Sequence, residues 1–187
     1  AGYGPLSEFL GIEEMLMWPA TFGQAQLAAR IRETGEYVYT QSAITDQPHE
    51  GHFDMLVFVR RTGEDETGNP VYELLGPEET PQAEPEVIAM IEQARKGILV
   101  GAGSPFTSVG PQLLPQGTAH ALARAKARGL PVIYAPKVCW DVETDEISLI
   151  EQIEAIERSI RACTGDESIR FEDIFSHIII PSIPEQL

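Results

Sequence analysis

Three hydroxyl side chains, Ser104, Thr107 and Ser108, stand close together, with Gly101 and Gly103 just before them and Gly110 just after. Hydroxyls donate hydrogen bonds to oxyanions, and glycines let a backbone reach positive φ and approach a ligand closely. The apolar run Ile98-Leu99-Val100 precedes them and reads as a strand buried on both faces. Gln116 to Arg128, rich in Ala, Leu, Arg and Lys, follows and reads as a helix. Strand, Gly/Ser/Thr loop and helix, in that order, build an oxyanion site, because the N–H groups and dipole at a helix start favour phosphate. Gly101, Gly103, Ser104, Thr107 and Ser108 are therefore expected to contact phosphate. The competing role for the hydroxyls is to cap the following helix. Two familiar phosphate loops are excluded: Phe106 occupies the third glycine position of G-x-G-x-x-G, and no Gly-Lys pair precedes Ser or Thr.

Charged residues around this stretch divide into one candidate cation and a group of acids. The chain carries 29 acidic against 13 basic residues, a net charge of −16. In so acidic a chain, Lys137, just past the strand Pro131–Ala135, is either a phosphate partner or a member of a surface ion pair. Asp141, Glu143 and Asp145 supply the one or two carboxylates that hold Mg²⁺, or else form a solvated acidic loop capping the next helix. His49 and His52, on a polar loop with no third ligand near, read as solvated. His120 and His177 read as structural. Cys139 and Cys163 lack metal-ligand spacing and read as free thiols of a reducing, cytoplasmic compartment. No spacing supports a Ser-His-Asp or Cys-His constellation.

The elements that must position these residues follow from length and pattern. With 187 residues, 43% hydrophobic and 22% charged, residues 1–187 read as a single α/β domain. The acidic balance argues against nucleic acid and anionic membranes as partners. No apolar run is long enough to span a bilayer, and no signal peptide is visible in the first residues. Pro5 to Met17 predicts a helix. Gln24 to Arg32 and Glu36 to Ala43 predict a hairpin about Thr34-Gly35, with Ala25 to Ile31 alternatively helical. Met55 to Val59 and Val71 to Leu75 predict strands on either side of a charged turn, Arg60 to Asn69. Residues 24–75 thus read as a hairpin-rich insert or appendage without a helix. Residues 76–187 read as a βαβαβ core carrying the anion loop. After a Pro/Glu linker, a helix opens at Pro85-Glu86 with Arg95 and Lys96 in its last turn. Strand 98–100, helix 116–128, strand 131–135, helix 146–162 and strand 174–180 follow. That series predicts parallel strands joined by right-handed crossovers, with ligands at their carboxyl ends, 101–108, 137–145 and 181–185.

The stretch Val100-Gly101-Ala102-Gly103-Ser104-Pro105-Phe106-Thr107-Ser108-Val109-Gly110-Pro111-Gln112-Leu113-Leu114 resembles the G-P-G-S-x-[YF]-T-S-[VI]-x-P-x-L-L motif of the gluconeogenesis-factor family. That family is related to the 2-phospho-L-lactate transferases of deazaflavin-cofactor synthesis. Glu143-Thr144-Asp145 resembles the family's Gly-Glu-Thr-Asp-Gly without its glycines, Pro181 to Leu187 its terminal P-I-P-E-x-L, and Met17 to Thr21 its V-L-P-A-T. Ala102 departs from the motif's proline. The family's glycine-rich, nucleotide-binding first half has no counterpart here, so the resemblance covers its second half only. The resemblance implies a three-layer, mostly parallel Rossmann-like sheet with a β-hairpin insert near the N-terminal side. It implies a nucleoside-diphosphate or nucleotide-sugar ligand. In one branch that means regulation of carbon or cell-wall metabolism; in the other, Mg²⁺-dependent transfer of a phospholactyl group from a guanosine diphosphate conjugate to a deazaflavin. A sheet of three strands has open edges. With half of the family pattern missing, a homo-oligomer or a partner chain completing the sheet is expected, and no turnover by this chain alone.

Overall fold

Pairing on both edges decides the conformation of Gln26–Ile31 against the helical preference of its alanines, and Ala28 and Ala29 are fully buried. The segment is β1, a strand with partners on both edges, and not the alternative helix. In the computed structural model, which describes residues 18–46, 50–137 and 142–180, β1 pairs antiparallel with β2 (Tyr37–Tyr39) and β3 (Phe53–Glu64). β3 pairs antiparallel with β4 (Pro70–Leu74), which completes a four-stranded sheet ordered β2-β1-β3-β4. Two expectations for this block are corrected. A helix, α1 (Gln41–Asp46), follows β2 and buries Ile44. β3 continues past Val59 to Glu64, because its charged side chains are paired: Arg60 with Glu73 and Glu79, Arg61 with Glu64. The turn shrinks to residues 65–69, where the Asp65 carboxylate accepts from the N–H groups of Thr67 and Asn69. The expected helix Pro5–Met17, together with His49, Cys139, Asp141 and Pro181–Glu185, lies outside the described residues.

The second sheet is parallel: β5 (Ile98–Gly103), β6 (Val132–Pro136) and β7 (His177–Ile178), in that order. This bears out the alternating series and its α/β class. A mostly parallel sheet is not what forms, since four of the seven strands among the described residues make an antiparallel sheet of their own. Short turns join β1 to β2 and β3 to β4, whereas parallel neighbours need long crossovers. Several boundaries also move. α2 (Pro85–Gln93) stops before Arg95 and Lys96. β5 runs on through Gly101–Gly103. The helix expected over 116–128 forms as α4 (Thr118–Ala127), while the loop before it holds a wide turn at Pro105–Val109 and a short α3 (Gly110–Leu113). α5 (Leu149–Thr164) begins only after Ser148, whose hydroxyl accepts from Glu151 N–H while the Glu151 carboxylate accepts from Ser148 N–H. Strand 174–180 contracts to β7 because Phe171–Ile174 forms α6.

One apolar core joins the two sheets. Ala29, Ile31, Phe53, Leu56 and Phe58 cluster with Val100, Phe106, Leu122, Val132, Tyr134, Ile156 and Ile160. Phe53 meets Phe106 edge-on at 5.5 Å between ring centres, so β3 is packed directly against the turn that carries the hydroxyls. α5 is tied to β3 by a buried bond, Leu56 N–H donating to Ser159 Oγ at 2.8 Å. Within the parallel sheet, Val100, Val132 and Tyr134 are buried, but Leu99 is 61% exposed, so Ile98–Val100 is not covered on both faces by the described residues.

Candidate functional site

Glycine shapes the end of β5. Gly101 has φ +118°, and a Cβ there would lie 2.1 Å from the carbonyl oxygen of Ala135 on β6. A Cβ on Gly103 would lie 2.5 Å from Ser108 Cβ. Gly101 therefore lets two strands meet, and Gly103 lets the turn fold back on the strand that feeds it. Ser104 then starts the turn. Its hydroxyl accepts from Phe106 N–H at 3.1 Å, and its carbonyl accepts from the N–H groups of Val109 (2.8 Å) and Ser108 (3.2 Å). The capping role expected of Ser104 is met, although what it caps is the short turn. α4 starts only at Thr118, so its dipole does not point into the hydroxyl loop.

The Ser104 hydroxyl has a second partner. It donates to Glu143 Oε2, and the Thr107 hydroxyl donates to Glu143 Oε1. Glu143 is 4% exposed and Ser104 3%. A buried carboxylate is costly unless hydrogen-bonded, and two hydroxyl donors are what the site provides. Glu143 thus does not cap α5, a task that Ser148 and Glu151 perform. Ser108 is exposed, with its carbonyl accepting from Gln112 Nε2 at 3.0 Å. Gly103 pairs with Pro136 in the parallel register, which brings Lys137, the next residue, to the same end of the sheet.

A cavity of about 390 Å³ opens beside Glu143, lined also by Asp145, Glu146, Ile147, Gly51, His52 and Phe53. Asp145 thereby joins the site, while Asp141 lies outside the described residues. Among the described residues, no three His, Cys, Asp or Glu side chains cluster as a metal-ion cage. His52 is not simply solvated. Its Nδ1 lies 2.8 Å from Glu33 Oε1, its N–H donates to Glu33 Oε2 at 2.8 Å, and its Nε2 lies 3.8 Å from Glu146 Oε2. Those bonds, the His52 side chain first, hold the Glu33 carboxyl down at about 2. Arg32 pairs with Glu33 at 3.5 Å and with Glu151 at 2.7 Å. Sequence reasoning missed this pairing because Glu33 lies on the far side of β2 and α1 in the chain, and nothing local to His52 signals it. His120 meets Asp166 at 3.0 Å, the structural role expected of it.

Chemically, the site offers a buried carboxylate gripped by two hydroxyls, further acids along a cavity wall, and a lysine at the same sheet end. An anionic ligand must be matched to Lys137 or bring a cation, because three carboxylates line the cavity.

A sequence model of the family described as 2-phospho-L-lactate transferase CofD matches residues 4–186. No curated protein matches. Two solved structures of protein BH3568 from Bacillus halodurans are similar, each with a TM-score of 0.64, at 21% and 20% identity. One is described as a member of the UPF0052 family. Each comparison covers 95% of this chain and 46% of the Bacillus halodurans chain, so the chain spans less than half the length of these solved relatives. At that identity they support the fold: two sheets, one of them parallel, with helices between.

Proposed function

The chain belongs to the 2-phospho-L-lactate transferase CofD family, and from that premise we propose that its Gly101–Glu143 region is the group-transfer end of a phospholactyl-transferase-type site. The observation that carries this reading is the buried Glu143 carboxylate held by Ser104 and Thr107 at the carboxyl end of β5. The donor is a guanosine diphosphate conjugate of lactate, lying over residues 101–108. The acceptor is a deazaflavin hydroxyl. Its oxygen attacks the phosphorus that bears lactate, a new P–O bond forms, and the anhydride P–O bond breaks with its electron pair leaving on guanosine monophosphate. The acceptor's proton passes to Glu143, whose two hydroxyl partners fix the carboxylate plane and so the direction from which it accepts. Lys137 faces the diphosphate as a point charge. The carboxylates of the cavity wall would fit Mg²⁺ held by one or two carboxylates plus substrate phosphates, with Asp145 the protein ligand. Bound there, Mg²⁺ supplies charge neutralisation.

A second reading is a nucleotide-sugar-binding regulator without turnover. It is favoured by Glu143-Thr144-Asp145, the stretch that resembles the gluconeogenesis-factor branch. Turnover by the gene product purified from its own cells separates the two. With guanosine diphospholactate and deazaflavin, Glu143→Gln is expected to lower kcat by roughly 10²- to 10⁴-fold with KM little changed. Equal kcat in both proteins contradicts the role of Glu143. Tight binding of uridine diphosphate sugars with no turnover of either conjugate selects the second reading.

A further inference from the structure

We propose that His52 reads a carboxylate on the ligand: its Nε2–H donates to that carboxylate, which takes the place that the Glu146 side chain holds in the free protein. The assignment deepens the proposed function and rests on it in one respect, that the transferred group is acidic.

Glu33 fixes the ring. Its Oε1 lies 2.8 Å from His52 Nδ1, and its Oε2 accepts from His52 N–H at 2.8 Å, so one carboxylate holds both the ring and the backbone that carries it. The His52 carbonyl in turn accepts from Arg32 N–H at 2.8 Å. Gly51 leaves room for this approach. Its φ is +114°, and a Cβ there would lie 2.5 Å from Glu33 Oε2 and 2.8 Å from Ile31 Cγ2. A carboxyl held down at about 2 is ionised at neutral pH and can only accept, so Nδ1 carries hydrogen. Nε2 is the ring nitrogen left for a ligand, and His52 lines the Glu143 cavity.

That nitrogen is distinctive on its wall. Among the described residues lining the cavity, His52 has the one side chain with an N–H, and the other polar side chains are the acids Glu143, Asp145 and Glu146. An acidic group on a ligand is repelled along this wall except at His52. A carboxylate already stands before Nε2: Glu146 Oε2 lies 3.8 Å away. That distance suits an ion pair but is too long for a hydrogen bond. The Glu146 side chain is 83% exposed, and exposed pairs of this kind contribute little, so a ligand carboxylate at hydrogen-bonding distance displaces it. With Glu33 behind Nδ1 and the ligand before Nε2, both ring nitrogens donate, as an imidazolium does. On the proposed reading the diphosphate stays with residues 101–108 and Lys137, and the two anionic parts of one ligand have separate partners.

Nitrogen NMR of the histidine-labelled gene product from its own cells tests the assignment, with the His52 signals identified by their loss in His52→Gln. The free protein is expected to show hydrogen on Nδ1. Added 2-phospho-L-lactate should shift Nε2 and show hydrogen bonded to it, whereas the same compound with its carboxylate converted to an amide should leave Nε2 unmoved. A shift with both compounds makes phosphate the partner and overturns the assignment, as does a shift with neither. Glu146→Gln removes the competing carboxylate and should tighten 2-phospho-L-lactate binding about twofold to fivefold; unchanged or weaker binding contradicts the displacement. For guanosine diphospholactate, His52→Gln should raise Kd roughly tenfold or more, against less than about twofold for guanosine diphosphate, which lacks the carboxylate. Equal losses overturn the assignment. The NMR result needs no turnover, so a Glu143→Gln protein with unchanged kcat would sink the proposed function and leave the carboxylate shift standing.

Discussion

Ser104 donates its hydroxyl proton to Glu143 across 39 positions of sequence, while the same oxygen caps the turn by accepting from Phe106 N–H. One buried side chain therefore links the end of β5, the turn and the acidic loop. Ser104→Ala removes a cap and one donor to a buried carboxylate. It should cost about 1–3 kcal/mol, read from denaturant midpoints. Ser108→Ala, at an exposed position, should stay within about 0.5 kcal/mol. Equal costs would mean that the Ser104 contact contributes nothing.

Gly101 offers a sharper contrast. Its φ of +118° and the 2.1 Å approach of a Cβ to Ala135 O make Gly101→Ala both strained and crowded. The strain alone should cost about 1–3 kcal/mol. Gly63→Ala, with no heavy atom within 4 Å of the new Cβ, is the control. Parallel thermal melts of the two variants check this; a Gly101→Ala protein as stable as Gly63→Ala would contradict the close approach of β5 to β6.

Acid should loosen the rim of the cavity. Hydrogen bonds from His52 hold the Glu33 carboxyl at about 2, and bonds from Arg32 and Ser148 hold that of Glu151 at about 2, both below an ordinary 4.5. Lowered folded values mean that each contribution is present above about 4.5 and is lost as pH falls toward 2. Glu33→Gln should therefore lose less melting temperature than the parent between about pH 5 and pH 2. Parallel losses would show that the His52–Glu33 pair has no effect on stability.

Cys163 is 1% exposed, and burial pushes its thiol up to about 11. In a Cys139→Ser background, a thiol reagent at about pH 8 should label the native protein only as fast as it opens. Labelling should become rapid in denaturant. Rapid labelling of the native protein would contradict the burial.

How far the sequence foretells this arrangement depends on the range over which each signal acts. Strand–loop–helix order placed Gly101 to Ser108 at the carboxyl end of a parallel strand, because apolar runs and glycines are local signals. Glu143 was visible only as a metal ligand or a helix cap; its grip by Ser104 and Thr107 is a contact across the fold, with no periodicity to announce it. Leu99 looked buried because an uncharged run reads alike whether or not a second layer covers it. Arg60 to Glu64 looked like a turn because charge was read without its partners, Glu73 across the sheet and Glu79 beyond β4, that keep it extended. α1 was hidden because six residues are too few to establish a helical period.

Calorimetric titration with guanosine diphosphate, with and without Mg²⁺, tests the central claim most directly: that the Gly101–Ser108 loop, Lys137 and the Glu143 cavity form one diphosphate site. It is made on the gene product from its own cells, the Lys137→Ala variant and a Ser104→Ala, Thr107→Val double variant. The account predicts binding by the parent and a loss of about 1–3 kcal/mol, roughly tenfold or more in Kd, for each variant. A parent that does not bind, or variants that bind as tightly as the parent, would contradict it.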